Sequence, residues 1–475
     1  MFEGKVVHFI GIGGISMSSL ALMLKEQRAI VQGSDIQEND EIEILKNHNI
    51  KVFKEHCAEN LKGVFAVCYS SAIHDDNVEI VEAKKQGLVI IKRAELLGLI
   101  SKEFKTVIAV AGSHGKTTTT AMIAEMFIRA NKKPTIHIGG VDNLIDSNFK
   151  IGEKDYFVVE ACEYKDNFLY FKPDISVVLN VDADHLDYFG SLECVKKSFY
   201  KFAKSVKKGG VNIVSADDVN SKDLKKLDNV FLFGFDKWAN LHASNVKEYK
   251  SGYYSFDVVF EKHIIGNIKL NILGKHNVYN ALATLAVGFA CMIDFCDIKY
   301  AIENYQGVKR RCEKVADVDE VEIFHDYAHH PEQIKKMIRI GKELAYKNKG
   351  KLFVVFEPHT YSRTKFLIDE FVGAFDGADV CVFAPAYSAR EDQSEGVEAD
   401  ELADKVKGKV EFVEFLKTYQ EIHCYIKKRV SKGDVVMILG AGTVDKLAKL
   451  FKEWFFIQKW GVMRNITPYF LSIYI

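Results

Sequence analysis

VIAVAGSHGKTTTT, residues Val107–Thr120, is a strand, a glycine turn and a helix start in succession. The apolar run Thr106–Ala111 predicts a buried strand. Gly112-Ser113-His114-Gly115 then make a tight turn, and Lys116-Thr117 open an apolar-periodic helix that reaches Phe127. Backbone N–H groups at such a helix start point at an anion, and the helix dipole favours negative charge there. Lys116 is placed to reach β- and γ-phosphates, and the Thr117 hydroxyl to ligate Mg²⁺. Val110 stands where the common phosphate loop has its first glycine, so this is a compressed form of the loop. The stretch predicts a nucleoside-triphosphate site.

At 475 residues the chain exceeds a single core and implies roughly three domains. Its 48% apolar content is that of a globular protein. A net charge of −1 excludes a broad nucleic-acid or membrane-surface role. The nine cysteines include no C-x-x-C pair and read as reduced thiols. Lys5–Ile10 runs directly into a glycine turn, which leaves no room for a signal peptide. A soluble, cytoplasmic protein without membrane insertion is the expectation.

Upstream, KVVHFIGI (5–12) predicts another strand, ending in Gly11-Ile12-Gly13-Gly14-Ile15-Ser16. A helix over Ser18–Glu26 and a short strand to Gly33-Ser34-Asp35 follow. The pattern resembles a dinucleotide fingerprint, with an acidic residue roughly 20 positions on. Ser16 replaces its third glycine, so a diphosphate-carrying nucleotide other than NAD fits equally, as does a purely structural turn. Val64–Tyr69 ends at Ser70-Ser71, and Leu88–Ile91 at Lys92-Arg93. Polar groups at such strand ends line the edge where open α/β sheets bind ligands.

Beyond the phosphate loop, strands Tyr156–Val159 and Ile175–Asn180 end in Glu160-Ala161-Cys162-Glu163 and Asp182-Ala183-Asp184-His185. Glu160 and His185 at such ends suit a hard metal beside phosphates; a solvated loop charge is the alternative for either alone. Asn277 and Asn280, three apart, share a helix face. They either present amides to an adenine edge or simply start the helix. From Gly307 a third set of strands ends in Asp326-Tyr327-Ala328-His329-His330, Glu357-Pro358-His359, Tyr387-Ser388-Ala389-Arg390 and Gly440-Ala441-Gly442. The histidine pair lacks a third ligand at suitable spacing, so zinc is not expected.

Together the blocks HFIGIGGISMS, AGSHGKTTTT, VEACE, NVDADHLD, GKHNVYNA, RR, DYAHHP, EPHTYSRT, YSARE and LGAGT resemble the Mur ligases, the ATP-dependent amide-forming enzymes of peptidoglycan synthesis. The similarity runs from Val7 to near Leu450 in the family's order, and the first glycine turn resembles the branch that adds L-alanine. Related ligases carry a metal-bridging modified lysine a little beyond the equivalent of His185. Here that position falls near Tyr200, and the L-alanine branch is the one expected to lack it.

The resemblance implies a three-domain α/β architecture. A Rossmann-like UDP-sugar domain (1–100) precedes a central P-loop ATPase domain (101–306) and a Rossmann-like C-terminal domain (307–452), with a tail of unknown role (453–475). It implies ATP and Mg²⁺, with UDP-N-acetylmuramate and L-alanine as substrates, no nucleic-acid partner, and a monomer or weak homodimer. Gly112, Ser113, His114, Gly115, Lys116, Thr117 and Thr118 would hold phosphates, and Thr117, Glu160 and His185 the metal. Asn277 and Asn280 would meet adenine, with Arg311 and Asp326 completing the nucleotide site from the third domain. The UDP-sugar would fall to His8, Gly11, Gly13, Gly14, Ser16, Asp35, Ser70, Ser71 and Arg93. Tyr327, His329 and Arg363 would take L-alanine, Arg363 by its planar fork. Lys116, Glu160, His185, His329 and Arg363 are the candidate catalytic groups. A sister ligase that attaches a whole tripeptide during wall recycling stays open, separated only by details around Tyr327–His330 and Arg363. An NAD-dependent oxidoreductase would leave the phosphate loop unexplained.

Overall fold

Strands covered on both faces read as continuous apolar runs, and such runs build three sheets in this computed structural model. It describes residues 2–70, 73–388, 391 and 396–464, so Ser71, Arg390 and the end of the tail lie outside the described residues. The first sheet holds β1 (Val6–Ile10), β2 (Ile30–Ser34), β3 (Lys51–Phe53), β4 (Ala66–Tyr69) and β5 (Val89–Lys92). They are all parallel, in the order β3-β2-β1-β4-β5. The order reverses at β1 and β4, and the crevice beyond such a reversal is where open sheets bind ligands. The Gly11–Gly14 turn and Ser70 stand there.

The second sheet contains β6 (Thr106–Ala111), β7 (Thr135–Asp142), β8 (Ser147–Lys150), β9 (Tyr156–Glu160), β10 (Ile175–Val178), β11 (Val211–Ser215), β12 (Val230–Gly234), β13 (Leu241–Lys250), β14 (Tyr253–Phe260) and β15 (His263–Lys269). Its order is β15-β14-β13-β12-β11-β10-β6-β9-β7-β8. The phosphate strand β6 therefore sits between β10 and β9, parallel to both, and their following loops emerge side by side. The third sheet runs β16-β17-β21-β18-β19-β20. Its strands are β16 (Glu313–Val318), β17 (Val321–Asp326), β18 (Leu352–Phe356), β19 (Val380–Phe383), β20 (Phe412–Phe415) and β21 (Val435–Leu439). Only the β16–β17 pairing in it is antiparallel.

The chain forms two compact units: 1–247 with 255–272 and 276–306, and 248–254 with 273–275 and 307–475. One apolar core runs through both sheets of the first unit, joining Leu97, Ile100 and Phe104 to Phe157, Phe168 and Phe171. Ordered packing of this kind holds the two sheets at a set distance.

The first helix begins at Ile15 rather than Ser18, because extended Gly14 caps it without a side-chain bond. β9 runs one residue past the apolar run, to Glu160, and β17 runs two past Phe324, through His325 to Asp326. At the C-terminus a helix runs Asp445–Arg464, straight through residue 453, and buries Trp454 at 6% exposure in the third sheet's core. Among the described residues no helix is long and apolar enough to cross a membrane.

Candidate active site

Gly115 caps the phosphate-loop helix Lys116–Arg129 at φ +85°. A Cβ there would lie 2.7 Å from Asn280 Oδ1, so glycine alone suits both the left-handed backbone and the contact. Asn180, beyond β10, clamps the turn: its Oδ1 accepts from His114 N at 2.8 Å and its Nδ2 donates to His114 O at 3.0 Å. Ser113 Oγ accepts from Asp182 N at 2.8 Å. Thr118 continues the helix, and its carbonyl accepts from the Tyr305 hydroxyl at 3.4 Å.

Lys116 is folded back over the turn. Its ammonium donates to Gly112 O at 2.6 Å, Ser113 O at 3.2 Å and Glu163 Oε1 at 2.9 Å. Those bonds use every proton the ammonium has. Burial alone would lower its pKa, but Glu163, Cys162 and Glu160 outweigh that and hold it raised. Lys116 is therefore a largely covered, charged group beside the anion cradle, its side chain 13% exposed.

Two carboxylates serve this edge separately. Glu160 Oε1 accepts from Thr117 Oγ1 at 3.2 Å, while its Oε2 accepts from Gly139 N at 2.7 Å. His185, at φ +54°, is grouped instead with Glu163 and Asp184: its Nε2 is 4.0 Å from Glu163 Oε1 and its Nδ1 4.0 Å from Asp184 Oδ1. Ligand atoms of Glu163, Asp184 and His185 lie within 4.8 Å of one another. Glu163 is 1% exposed and its Oε2 has no hydrogen-bond partner among the described residues. A hard, mostly oxygen donor set with an orphaned buried carboxylate oxygen fits Mg²⁺. Sequence reasoning chose Glu160 and passed over Glu163, although VEACE carries both.

Asn277 and Asn280 open the helix Asn277–Ala290, both buried, with Asn280 Nδ2 donating to Asn277 Oδ1 at 2.7 Å. A cavity of about 250 Å³ beside them is lined by His114, Gly115, Asn180, Asp217, Tyr279 and Asn280. It joins the phosphate turn directly and is large enough for a nucleobase.

At the first sheet's crevice, Gly11 N donates to Ser34 O at 2.8 Å and Gly13 N to Asp35 Oδ2 at 2.9 Å. Asp35 Oδ1 accepts from Gln37 N at 3.0 Å, so this carboxylate braces the turn. Arg93 starts the helix Arg93–Ser101 and donates through Nη1 to Ser16 Oγ at 2.9 Å. His8 is a correction. Its side chain is wholly buried within β1, with Nε2 3.2 Å from Glu79 Oε1, and presents nothing to a ligand.

Glu79 also receives Ser34 Oγ at 2.5 Å and Asn60 Nδ2 at 2.7 Å. Burial pushes its pKa up, but His8, Ser34 and Asn60 outweigh burial and hold it at about 2, below the ordinary 4.5. A depressed folded pKa contributes stability present above pH 4.5 and lost as the pH falls toward 2. Glu79→Ala is expected to cost about 3–5 kcal/mol at neutral pH, the range for leaving buried partners uncompensated. Urea unfolding at pH 7 and pH 3 checks this: the difference between variant and wild type should shrink at the lower pH.

In the second unit, Asp326 ends β17, its Oδ2 accepting from Cys312 N at 2.7 Å and its Oδ1 from Ala328 N at 2.8 Å. Burial raises its pKa against the opposing charge of Arg311. The guanidinium of Arg311 lies 5.8 Å from the Tyr327 ring centroid. Tyr327 O meets His329 Nδ1 at 2.9 Å, and the His329 and His359 rings are 5.8 Å apart. Arg363 Nη1 lies 3.3 Å from His359 Nδ1. Tyr327, His329 and Arg363 are thus gathered around His359, which sequence reasoning left unassigned within EPHTYSRT. Burial, with Arg363 and the neighbouring histidines, lowers His329 to about 4, so its ring is neutral at pH 7.

Models of the Mur ligase family catalytic domain, middle domain and glutamate ligase domain match residues 6–105, 110–288 and 310–442. A UDP-N-acetylmuramate--L-alanine ligase of Caldanaerobacter subterraneus is 42% identical over 94% of this chain and 97% of that protein. The crystal structure of the UDP-N-acetylmuramate-alanine ligase of Thermotoga maritima is 28% identical, covers 95% of this chain and 99% of its own, and superposes with a TM-score of 0.78. The Neisseria ligase titled for UDP-N-acetylmuramate and L-alanyl-gamma-D-glutamyl-meso-diaminopimelate is 27% identical over 65% of this chain and 100% of its own, with a TM-score of 0.58. With a phosphate loop, its acidic strand ends and three α/β sheets in this order, the chain belongs to the Mur ligase family.

Proposed function

We propose that this chain joins L-alanine to the lactyl carboxylate of UDP-N-acetylmuramate, coupled to cleavage of ATP to ADP and phosphate. This is the first peptide bond of peptidoglycan precursors, made in the cytoplasm. The observation that carries the reading is a largely covered, charged Lys116 on the phosphate turn beside two independent carboxylates, in a chain 42% identical to an L-alanine-adding relative. The first sheet (1–100) takes the UDP-sugar, the second (101–306) ATP, and the third (307–452) the amino acid.

A carboxylate cannot react with an amine directly, because oxide would have to leave. Attack of the carboxylate oxygen on the γ-phosphorus breaks the β–γ bridge bond and gives an acyl phosphate and ADP. Once the ammonium has lost a proton to solvent, the free amine nitrogen attacks the acyl carbon, and the tetrahedral intermediate expels phosphate as a second N–H proton leaves with it. Catalysis is mainly positioning and charge neutralisation. The turn N–H groups and Lys116 neutralise charge developing on the transferred phosphoryl group. Thr117 with Glu160, and Glu163 with Asp184 and His185, would be separate places to hold Mg²⁺, which would supply Lewis-acid neutralisation of phosphate and carboxylate oxygens. Asn280, which lines the cavity beside the phosphate turn, meets adenine, and Asn277, which is outside that lining, holds the Asn280 amide. In the second unit, Arg363 binds the amino acid's carboxylate, and neutral His329 accepts a hydrogen bond from its ammonium group.

ADP release with UDP-N-acetylmuramate plus either L-alanine or the L-Ala–γ-D-Glu–diamino-acid tripeptide tests the reading. L-alanine should be strongly preferred; preference for the tripeptide would overturn it in favour of the recycling ligase. A pocket discriminates one methylene by only about 1–3 kcal/mol, so glycine and L-serine should be accepted weakly. Arg363→Lys keeps charge but loses the fork, and should raise the KM for L-alanine far more than that for ATP.

A further inference from the structure

A polar knot joins the first two sheets beside their shared apolar core. Ser16 comes from the first turn of the helix that follows the β1 glycine turn, Arg93 from the helix after β5, and His137 from β7 of the second sheet. Arg93 Nη1 donates to Ser16 Oγ at 2.9 Å, and Ser16 Oγ lies 3.1 Å from His137 Nε2. His137 is 5% exposed, and its Nδ1 makes no hydrogen bond among the described residues beyond a weak approach to its own backbone. Burial first, and Arg93 second, lower its pKa to about 3, so the ring is neutral.

A neutral ring leaves two arrangements of protons. Either the Ser16 hydroxyl donates to Nε2, which puts the ring proton on unpartnered Nδ1, or Nε2–H donates to Ser16 and frees the hydroxyl proton. The first leaves the buried ring N–H with only its own backbone in reach; the second leaves the hydroxyl proton to half-buried Ser16. Burying such a donor costs stability that an apolar residue on β7 would not incur. Two residues further along β7, Gly139 N holds Glu160 Oε2. A side chain at 139 would place Cβ 2.6 Å from that oxygen. One strand therefore touches both the helix start after the acceptor's glycine turn and the phosphate-side carboxylate. Arg93 also lies within the electrostatic reach of Glu160 and Cys162.

We propose that His137 is a positioning residue for the UDP-sugar: through Ser16 it holds the Arg93 guanidinium over the glycine turn, available to the substrate's anionic groups and kept off Glu160. The proposal rests on the assignment of that turn to the UDP-sugar. His137→Val keeps strand propensity and removes the hydrogen bond; His137→Gln can restore one to Ser16. In His137→Val the KM for UDP-N-acetylmuramate should rise about tenfold or more, the scale of one charge-linked hydrogen bond, with the KM for ATP unchanged within about twofold. His137→Gln should recover part of that loss. Ser16→Ala combined with His137→Val should be no worse than the more affected single variant.

Calorimetric titration of UDP-N-acetylmuramate into wild type and both variants without ATP separates the levels. If the wild type does not bind, the assignment of the turn fails. If the wild type binds and His137→Val binds equally well, the role of His137 alone is overturned. Equal rises in both KM values would also overturn it, by marking a general distortion of β7. Should His137→Val fail to fold, a His137→Gln protein with unchanged UDP-sugar affinity and no coupling to Ser16→Ala would refute the proposal by itself.

Discussion

Lys116→Ala is expected to abolish ADP release while leaving UDP-sugar binding intact. Lys116 is the only lysine in the phosphate turn, and its ammonium is held by two turn carbonyls and the buried Glu163. A preorganised charge of this kind acts without solvent reorganisation when the phosphoryl group moves. Its loss should lower kcat/KM by about a thousandfold or more. Without the lysine, Glu163 keeps its buried charge uncompensated, so some loss of stability accompanies the kinetic defect. The first sheet has its own core residues around β1 and β4 and is untouched. Calorimetry with UDP-N-acetylmuramate should therefore give wild-type affinity for the variant. Near-wild-type ADP release in Lys116→Ala would remove this turn from the reaction.

The second large effect concerns the metal. Glu160→Ala and His185→Ala should each raise the Mg²⁺ concentration for half-maximal activity by about 10–100-fold, at least the effect of disturbing a ligand's support. Glu160 and His185 do not share a single cluster: Glu160 faces Thr117, whereas His185 lies with Glu163 and Asp184. Residues in one network are strongly non-additive, and separated ones add. Coupling should therefore be largest between Glu163→Gln and His185→Ala and smaller between Glu160→Ala and His185→Ala. Unchanged Mg²⁺ titrations in both Glu160→Ala and His185→Ala would make these side chains structural. Strict additivity of Glu163→Gln with His185→Ala would dissolve the grouping of those two alone.

Much of this molecule is set by local sequence. The apolar run Thr106–Ala111 followed by Gly112–Gly115 and Lys116 determines strand, turn and helix, because a short stretch contains the interactions that decide them: a continuous apolar segment, positive φ at Gly115 and a free helix N-terminus. The same holds for the β1 turn and for the strands ending in Asp326 and Glu160, where only His325 and Asp326 of the one and Glu160 of the other extend past the apolar run. Which partner each polar group meets depends on strand order, and no local pattern carries that. β6 lies between β9 and β10 rather than beside its chain neighbours, and this alone brings Lys116 to Glu163 and Thr117 to Glu160. The family resemblance gave His8 to the UDP-sugar, but pairing of β1 with β2 and β4 buries it against Glu79. Ser16 and His137 are 121 residues apart, and only the packing of two sheets across one apolar core makes them neighbours. Local sequence thus specified the kinds of groups and the elements that carry them. Tertiary structure chose their partners, because burial and hydrogen bonding are settled between segments distant in the chain.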